Sequence, residues 1–181
     1  DNRRRDSEMN NATLPFVNLR AMEPEDLDAL YQMENSPDLW SVSNTSVPYS
    51  RYVLHDYIAN ASNDIYADRQ VRLVIENAAE EVVGMLDIVN FDPQHRRAEV
   101  SIVIKNTHQG CGYASAAVAK AKDYALHVLH LHQLYAVVAT DNEASLRLFA
   151  RSGFSEGCLL ADWLYDGENY SDARFMQCIL H

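Results

Sequence analysis

At 181 residues, 48% of them apolar, the chain has the length of one compact domain with a sizeable core, and no apolar run approaches the ~20 residues of a membrane-spanning helix. A formal net charge of −11 speaks against a nucleic-acid partner and suits a cationic one. Three cysteines (Cys111, Cys158 and Cys178) form an odd, sparse set that fits free thiols in a reducing cytoplasm, and no secretory signal follows the charged N-terminus.

In chain order, residues 1–12 are polar and aperiodic and read as a disordered leader, with Met9 as an alternative start; the domain then occupies residues 13–181. Phe16–Ala21 alternates as a first strand. Glu23-Pro24-Glu25-Asp26 opens a helix, with proline in the first turn and acids at its positive end. Leu27, Leu30, Tyr31 and Met33 supply its apolar face. The polar stretch 35–49 reads as a loop, and Ser50 caps a second helix whose buried side is Val53, Leu54, Tyr57, Ile58 and Ala61. Residues 61–70 form another loop.

Val71–Ile75 and Val82–Val89 read as a hairpin around Asn77–Glu81, with Gly84 marking a bulge. Asp92-Pro93 turns the chain into a strand at Ala98–Ile104. A long helix, Tyr113–Leu129, carries Ala114, Ala117, Val118, Ala121, Ala125 and Val128 on one stripe and so packs on a sheet. A strand at Leu134–Thr140 precedes a short helix capped near Asp141 or Asn142 and ended by Gly153. Phe154–Trp163 and Ser171–Ile179 make a last pair of strands around Asp166-Gly167.

The most informative stretch joins the Ala98–Ile104 strand to the long helix: Gln109-Gly110-Cys111-Gly112-Tyr113-Ala114. Two glycines between a strand and a helix start present bare backbone N–H groups, and those amides with the helix dipole bind phosphate. It is neither a Rossmann fingerprint, which needs a third glycine or alanine where Ser115 stands, nor a Walker loop, which needs Gly-Lys-Ser/Thr.

Gln109-x-x-Gly112-x-Ala114, followed by Asn142-x-x-Ser145 and Gly153-Phe154, resembles the two acetyl-CoA-binding blocks of the Gcn5-related N-acetyltransferase superfamily. Within it, His95-Arg96-Arg97-Ala98-Glu99, His108-Gln109-Gly110-x-Gly112-Tyr113-Ala114 and Leu129-x-Leu131-His132-x-Leu134-Tyr135 are similar to the bacterial spermidine N-acetyltransferases and, less closely, to the ribosomal-protein alanine N-acetyltransferases. The resemblance implies an α/β fold: a mixed, twisted central sheet with a helix pair on one side and the long helix on the other. It also implies a V-shaped opening beside Ile102–Ile104 that admits the pantetheine arm.

The implied reaction is direct acetyl transfer from acetyl-CoA to a primary amine, a small polyamine leading, with no metal and with a homo-oligomer as a further expectation. Acetylation of a protein N-terminus and non-catalytic acetyl-CoA binding are the alternatives. Gln109, Gly110, Cys111, Gly112, Tyr113 and Ala114 would hold the diphosphate. Backbone amides of Ile102, Val103 and Ile104 would polarise the thioester carbonyl. Asn142 would hydrogen-bond the pantetheine arm, Arg147 or Arg151 would reach the nucleotide phosphates, Ser145 belongs to the same cofactor-binding block, and Phe149 would wall the thioester.

An alkyl ammonium, with a pKa near 10.4, must lose a proton before it attacks. Glu99 and Asp87 are the candidate bases, set against an ion pair with Arg96 or Arg97 for Glu99 and a solvated strand position for Asp87. Two departures from the spermidine enzymes stand out. Their general-acid tyrosine corresponds to Phe149, which has no proton to give, leaving Tyr113 and Tyr135 as other donors. Their acid-rich segment is replaced by Asn44-Thr45-Ser46-Val47-Pro48-Tyr49-Ser50, with Glu34 and Asp38 upstream as substitutes. His127, His130 and His132 have no neighbouring ligand set in sequence and read as helix-end residues.

Overall fold

The computed structural model describes residues 14–36 and 48–181. The expected leader, Asp38 and residues 44–47 of the loop lie outside them.

Seven strands form one sheet: β1 Val17–Ala21, β2 Val71–Asn77, β3 Val82–Asp92, β4 Arg97–Ile104, β5 Gln133–Ala139, β6 Ser155–Tyr165 and β7 Tyr170–Ile179. Their order is β1-β2-β3-β4-β5-β7-β6. Every neighbouring pair is antiparallel except β4 and β5, which run parallel around the crossover helix α4 (Tyr113–His127). A parallel pair needs such a crossover, whereas a hairpin turn suffices elsewhere. The mixed α/β sheet implied by the family resemblance is the one observed.

Each sheet face has its own core. On one, Val74 and Met85 pack beneath Leu30 and Met33 of α1 (Leu27–Glu34) and Leu54 and Ile58 of α2 (Arg51–Asn60). On the other, Ile75, Leu86, Ile88, Ala98, Val100 and Leu134 meet Ala117, Val118, Ala121 and Ala125 of α4. The alanine stripe brings the helix axis close to the sheet, because no long side chain intervenes. Ser50 caps α2 as expected, its hydroxyl accepting from the Val53 amide at 3.1 Å.

Several sequence expectations are corrected. Val53 and Tyr57 are 48% and 39% exposed and Ala61 only half-buried, because α2 turns a single narrow stripe inward. Part of the expected 61–70 loop is a one-turn helix, α3 (Ile65–Asp68), capped by Asp64 and seated by buried Ile65. The long helix ends at His127, and Val128 is exposed. The bulge lies where Gly84 suggested: the β2–β3 register shifts between Ile75, opposite Gly84, and Glu76, opposite Val82. A Cβ on Gly84 would stand 2.2 Å from the Val103 carbonyl oxygen, so β3 and β4 can approach only over glycine.

Candidate active site

β4 and β5 pair over three rungs, Arg97 with Gln133, Ala98 with Leu134 and Glu99 with Tyr135. Past Glu99 the two strands separate, while β4 stays in register with β3 as far as Ile104 opposite Gly84. One edge of β4 beyond the last rung therefore faces a wedge rather than a strand. Ile102, Val103 and Ile104 line β4 there and are half-buried.

At the wide end of the wedge the chain makes a 3-10 turn, Asn106–His108, and then the glycine loop. Gln109 ties that loop back, its Nε2 donating to the Ile104 carbonyl at 3.3 Å and the Asn106 side-chain oxygen at 3.2 Å. Gly110 and Gly112 have φ of +75° and +84°, the left-handed region that glycine enters without strain. Gly112 is the N-cap of α4, and no side chain caps the helix among the described residues. The first intrahelical bond runs from the Ala116 amide to the Gly112 carbonyl, so the amides of Tyr113, Ala114 and Ser115 are left for a ligand. Cys111 is exposed between the glycines, and Tyr113 is half-buried with its hydroxyl 3.5 Å from Asn77 Nδ2.

The second block sits on α5 (Glu143–Arg151). Asn142 is its N-cap, with its side-chain oxygen accepting from the Ser145 amide at 3.2 Å. Arg147 pairs with Glu143 at 3.6 Å on the exposed face, and Arg151 is exposed in the last turn. Phe149 is 3% exposed and meets Phe154 edge-on at 5.0 Å between ring centroids. It is a core residue with no polar atom to offer.

Glu99 and Asp87 share one sheet face, since opposite residues of an antiparallel pair project to the same side and the register sets Asp87 against Ser101 and Val89 against Glu99. Their surroundings differ. Both Asp87 oxygens accept from Arg72, at 2.8 Å from Nε and 3.0 Å from Nη2, and Arg72 also donates to Glu34 at 2.5 Å. Burial works against the Arg72 charge, yet the two acids more than offset it and push its pKa above the ordinary guanidinium value. Asp87 is thus neither a free base nor a solvated strand residue: it is the anchored partner of a fixed cation.

Glu99 accepts from Asn90 Nδ2 at 2.8 Å, and not from Arg96 or Arg97, its alternative ion-pair partners. Arg96 donates instead to the His130 carbonyl, and Arg97 lies 3.5 Å from Asp92. Tyr135, across the last rung, stacks on Phe175 at 5.1 Å. Burial, with the nearby Glu99 charge second, pushes its phenol above the ordinary value against the pull of Arg97.

Neither Asn90 nor Arg72 stands out as a site residue in the sequence. Arg72 was findable, because folding the hairpin about Asn77–Glu81 places it opposite Asp87. Asn90 carried only a faint signal, an asparagine inside a strand run, where a left-handed residue breaks the ladder. Beside these residues a cleft is lined by Glu34, Tyr49, Val53, Leu54, Tyr57, Arg72, Asp87 and Val89. Among the described residues no group of three His, Cys, Asp or Glu side chains is placed to hold a metal, and no helix is long and apolar enough to cross a membrane.

The family profile described as "Acetyltransferase (GNAT) domain" matches residues 17–155. The chain belongs to the GNAT acetyltransferase family. As such it is an acetyl-CoA-dependent N-acetyltransferase. It is 33% identical over 167 residues to the spermidine N(1)-acetyltransferase of Escherichia coli K12, covering 91% of this chain and 87% of that one. The spermidine N-acetyltransferase of Vibrio cholerae, solved with CoA and spermine, superposes with a TM-score of 0.80 at 28% identity, covering 91% of this chain and 95% of that one. A dodecameric structure of the Vibrio enzyme in an intermediate state superposes at 0.76, with the same identity, over 91% and 94% of the two chains.

Proposed function

We propose that this acetyltransferase acts on a primary amine of a small polyamine, with Glu99 as the base. The observation that carries the reading is the position of Glu99 on the last rung before β4 and β5 part. A pantetheine arm entering from the glycine loop runs along β4 towards that rung, which brings the thioester to the face where Glu99 stands. The adjoining cleft adds aromatic walls (Tyr49, Tyr57), aliphatic ones (Val53, Leu54, Val89) and the carboxylates of Glu34 and Asp87, which together outweigh the single charge of Arg72 between them. Methylenes lie on the first two kinds of surface, and a distal ammonium is attracted by ring faces and acids.

In this reading the α4 amides, with the backbone of Gly110–Gly112, hold the diphosphate. Backbone N–H groups among Ile102, Val103 and Ile104 meet the carbonyl oxygen as charge develops on it. Asn142 and Ser145 would border the arm, and Arg147 or Arg151, both exposed on α5, would reach the nucleotide phosphates. Phe149 closes the hydrophobic wall. The amine enters the reaction after its ammonium proton has passed to solvent; its neutral nitrogen forms a bond to the acetyl carbon, the carbon–sulfur bond breaks, and the nitrogen's surplus proton passes to Glu99. Coenzyme A leaves as the thiolate, which a thiol pKa near 8.5 permits without the acid that Phe149 cannot supply.

We further infer a homo-oligomer: β6 is exposed along most of its length, with Leu159, Trp163 and Tyr165 uncovered beside Tyr170, and the Vibrio relative has been solved as a dodecamer. Free Cys111, Cys158 and Cys178 suit a reducing cytoplasm. The test is thiol release from acetyl-CoA with spermidine, spermine, short diamines and an alanine-starting peptide. Turnover with the polyamines supports the reading, and turnover with the peptide alone overturns it.

A further inference from the structure

The strand that should lie flat beside Glu99 does not. The β3–β4 register runs unbroken to Val89 opposite Glu99 and resumes only at Asp92 opposite Arg97, so Asn90 and Phe91 together face the single residue Ala98. Asn90 has φ of +50°, and Phe91 turns inward to 3% exposure. A bulge re-aims the side chain it carries. Here it re-aims Asn90 along the sheet face onto Glu99, whose Oε2 accepts from Nδ2 at 2.8 Å. The same side chain faces the Tyr135 phenol across the last rung.

We propose that Asn90 is the positioning residue of the acetyl-transfer reaction: its amide holds Oε2 of Glu99 and so presents Oε1 to the attacking amine. The inference rests on Glu99 being the base. A carboxylate on a side chain with three rotatable bonds has no fixed orientation of its own, and catalysis by a base requires a defined approach to the proton it takes. The proton leaves the amine nitrogen for Oε1 as the nitrogen–carbon bond forms and the carbon–sulfur bond breaks. Asn90 itself gains and loses nothing. Arg97 and Asp92 are the charged groups beside this trio and pair with each other, while Asp87, two residues from Val89 on β3, is committed to Arg72. No second donor to the Glu99 carboxylate is found among the described residues.

The left-handed backbone makes clean variants available, because glycine, aspartate and histidine all tolerate it better than other residues. Asn90→Gly removes the side chain, Asn90→Asp replaces the donor by a like charge, and Asn90→His restores an N–H. Steady-state kinetics with acetyl-CoA and spermidine should show kcat falling about 10- to 100-fold in Asn90→Gly and further in Asn90→Asp, with KM for the amine within about twofold. Asn90→His should recover part of the loss. In a Glu99→Gln background, Asn90→Gly should cost nothing more, because there is no base left to position.

A kcat within about twofold of the parent in both Asn90→Gly and Asn90→Asp would overturn the inference. So would a full additive loss on top of Glu99→Gln, the mark of a purely structural residue. If Glu99→Gln alone leaves kcat unchanged, the base assignment falls and this inference with it. Thermal melts of each variant identify any loss that comes from unfolding.

Discussion

Asp87 and Arg72 face each other across β2 and β3, joined by two hydrogen bonds of 2.8 and 3.0 Å between guanidinium and carboxylate. With Glu34 on the far side of the guanidinium, the floor of the cleft carries two negative charges and one fixed positive one. This arrangement separates two acids that sequence presents as equals. Asp87 spends both oxygens on Arg72, whereas Glu99 spends one on a neutral amide.

Asp87→Asn should therefore act on stability before chemistry. Losing the charge-assisted pair should lower unfolding stability by about 2 kcal/mol, read as a lower urea midpoint at unchanged slope. The kcat of the folded variant should fall far less than that of Glu99→Gln.

Gly84 is a steric hinge between β3 and β4. An alanine Cβ would overlap the Val103 carbonyl and crowd Ile104, on the strand that flanks the wedge. Gly84→Ala should cost about 1–3 kcal/mol in chemical denaturation.

The two loop glycines should respond differently. Both lie at positive φ, but an added Cβ at Gly112 would come within 3.1 Å of Pro15, while at Gly110 it would meet open space. Calorimetric titration should show Gly112→Ala binding acetyl-CoA about tenfold more weakly or worse, for a left-handed penalty of roughly 1–2 kcal/mol plus the Pro15 contact. Gly110→Ala should lose less.

Asp26 gives the fold an acid sensitivity far from the wedge. It is 5% exposed and accepts from Arg20 at 2.8 and 2.9 Å and from the Glu23 amide at 2.8 Å. Burial alone would raise its pKa, but those donors outweigh it and hold the carboxyl below the ordinary 3.8. A depressed folded-state pKa means that the stabilisation is present above the unfolded value and is lost as pH falls through the folded one. Denaturation midpoints should thus drop as pH is lowered below about 4, and Asp26→Asn should flatten that slope.

Much of this was legible in the sequence because it depends on local rules. The strand, glycine loop and alanine-striped helix follow from spacing, and Ser50 and Asn142 cap the helices they precede. What stayed hidden depends on register. The ion pair of Asp87, the rung at which the expected opening between β4 and β5 begins and the bulge that turns Asn90 onto Glu99 each require knowing which residue lies opposite which. A slip of one residue would send every one of those side chains to the other face. Phe149 lacks a proton to give on its sequence alone, but its burial against Phe154 depends on how α5 packs in the folded chain.

In the proposed reaction Glu99 takes the amine's proton at the apex of the wedge. The most direct measurement is thiol release by Glu99→Gln with saturating acetyl-CoA and spermidine, beside a calorimetric titration of acetyl-CoA. The account requires kcat to fall about 10²- to 10⁴-fold while acetyl-CoA affinity is unchanged. Turnover equal to that of the unaltered protein, with the donor bound equally well, would contradict it.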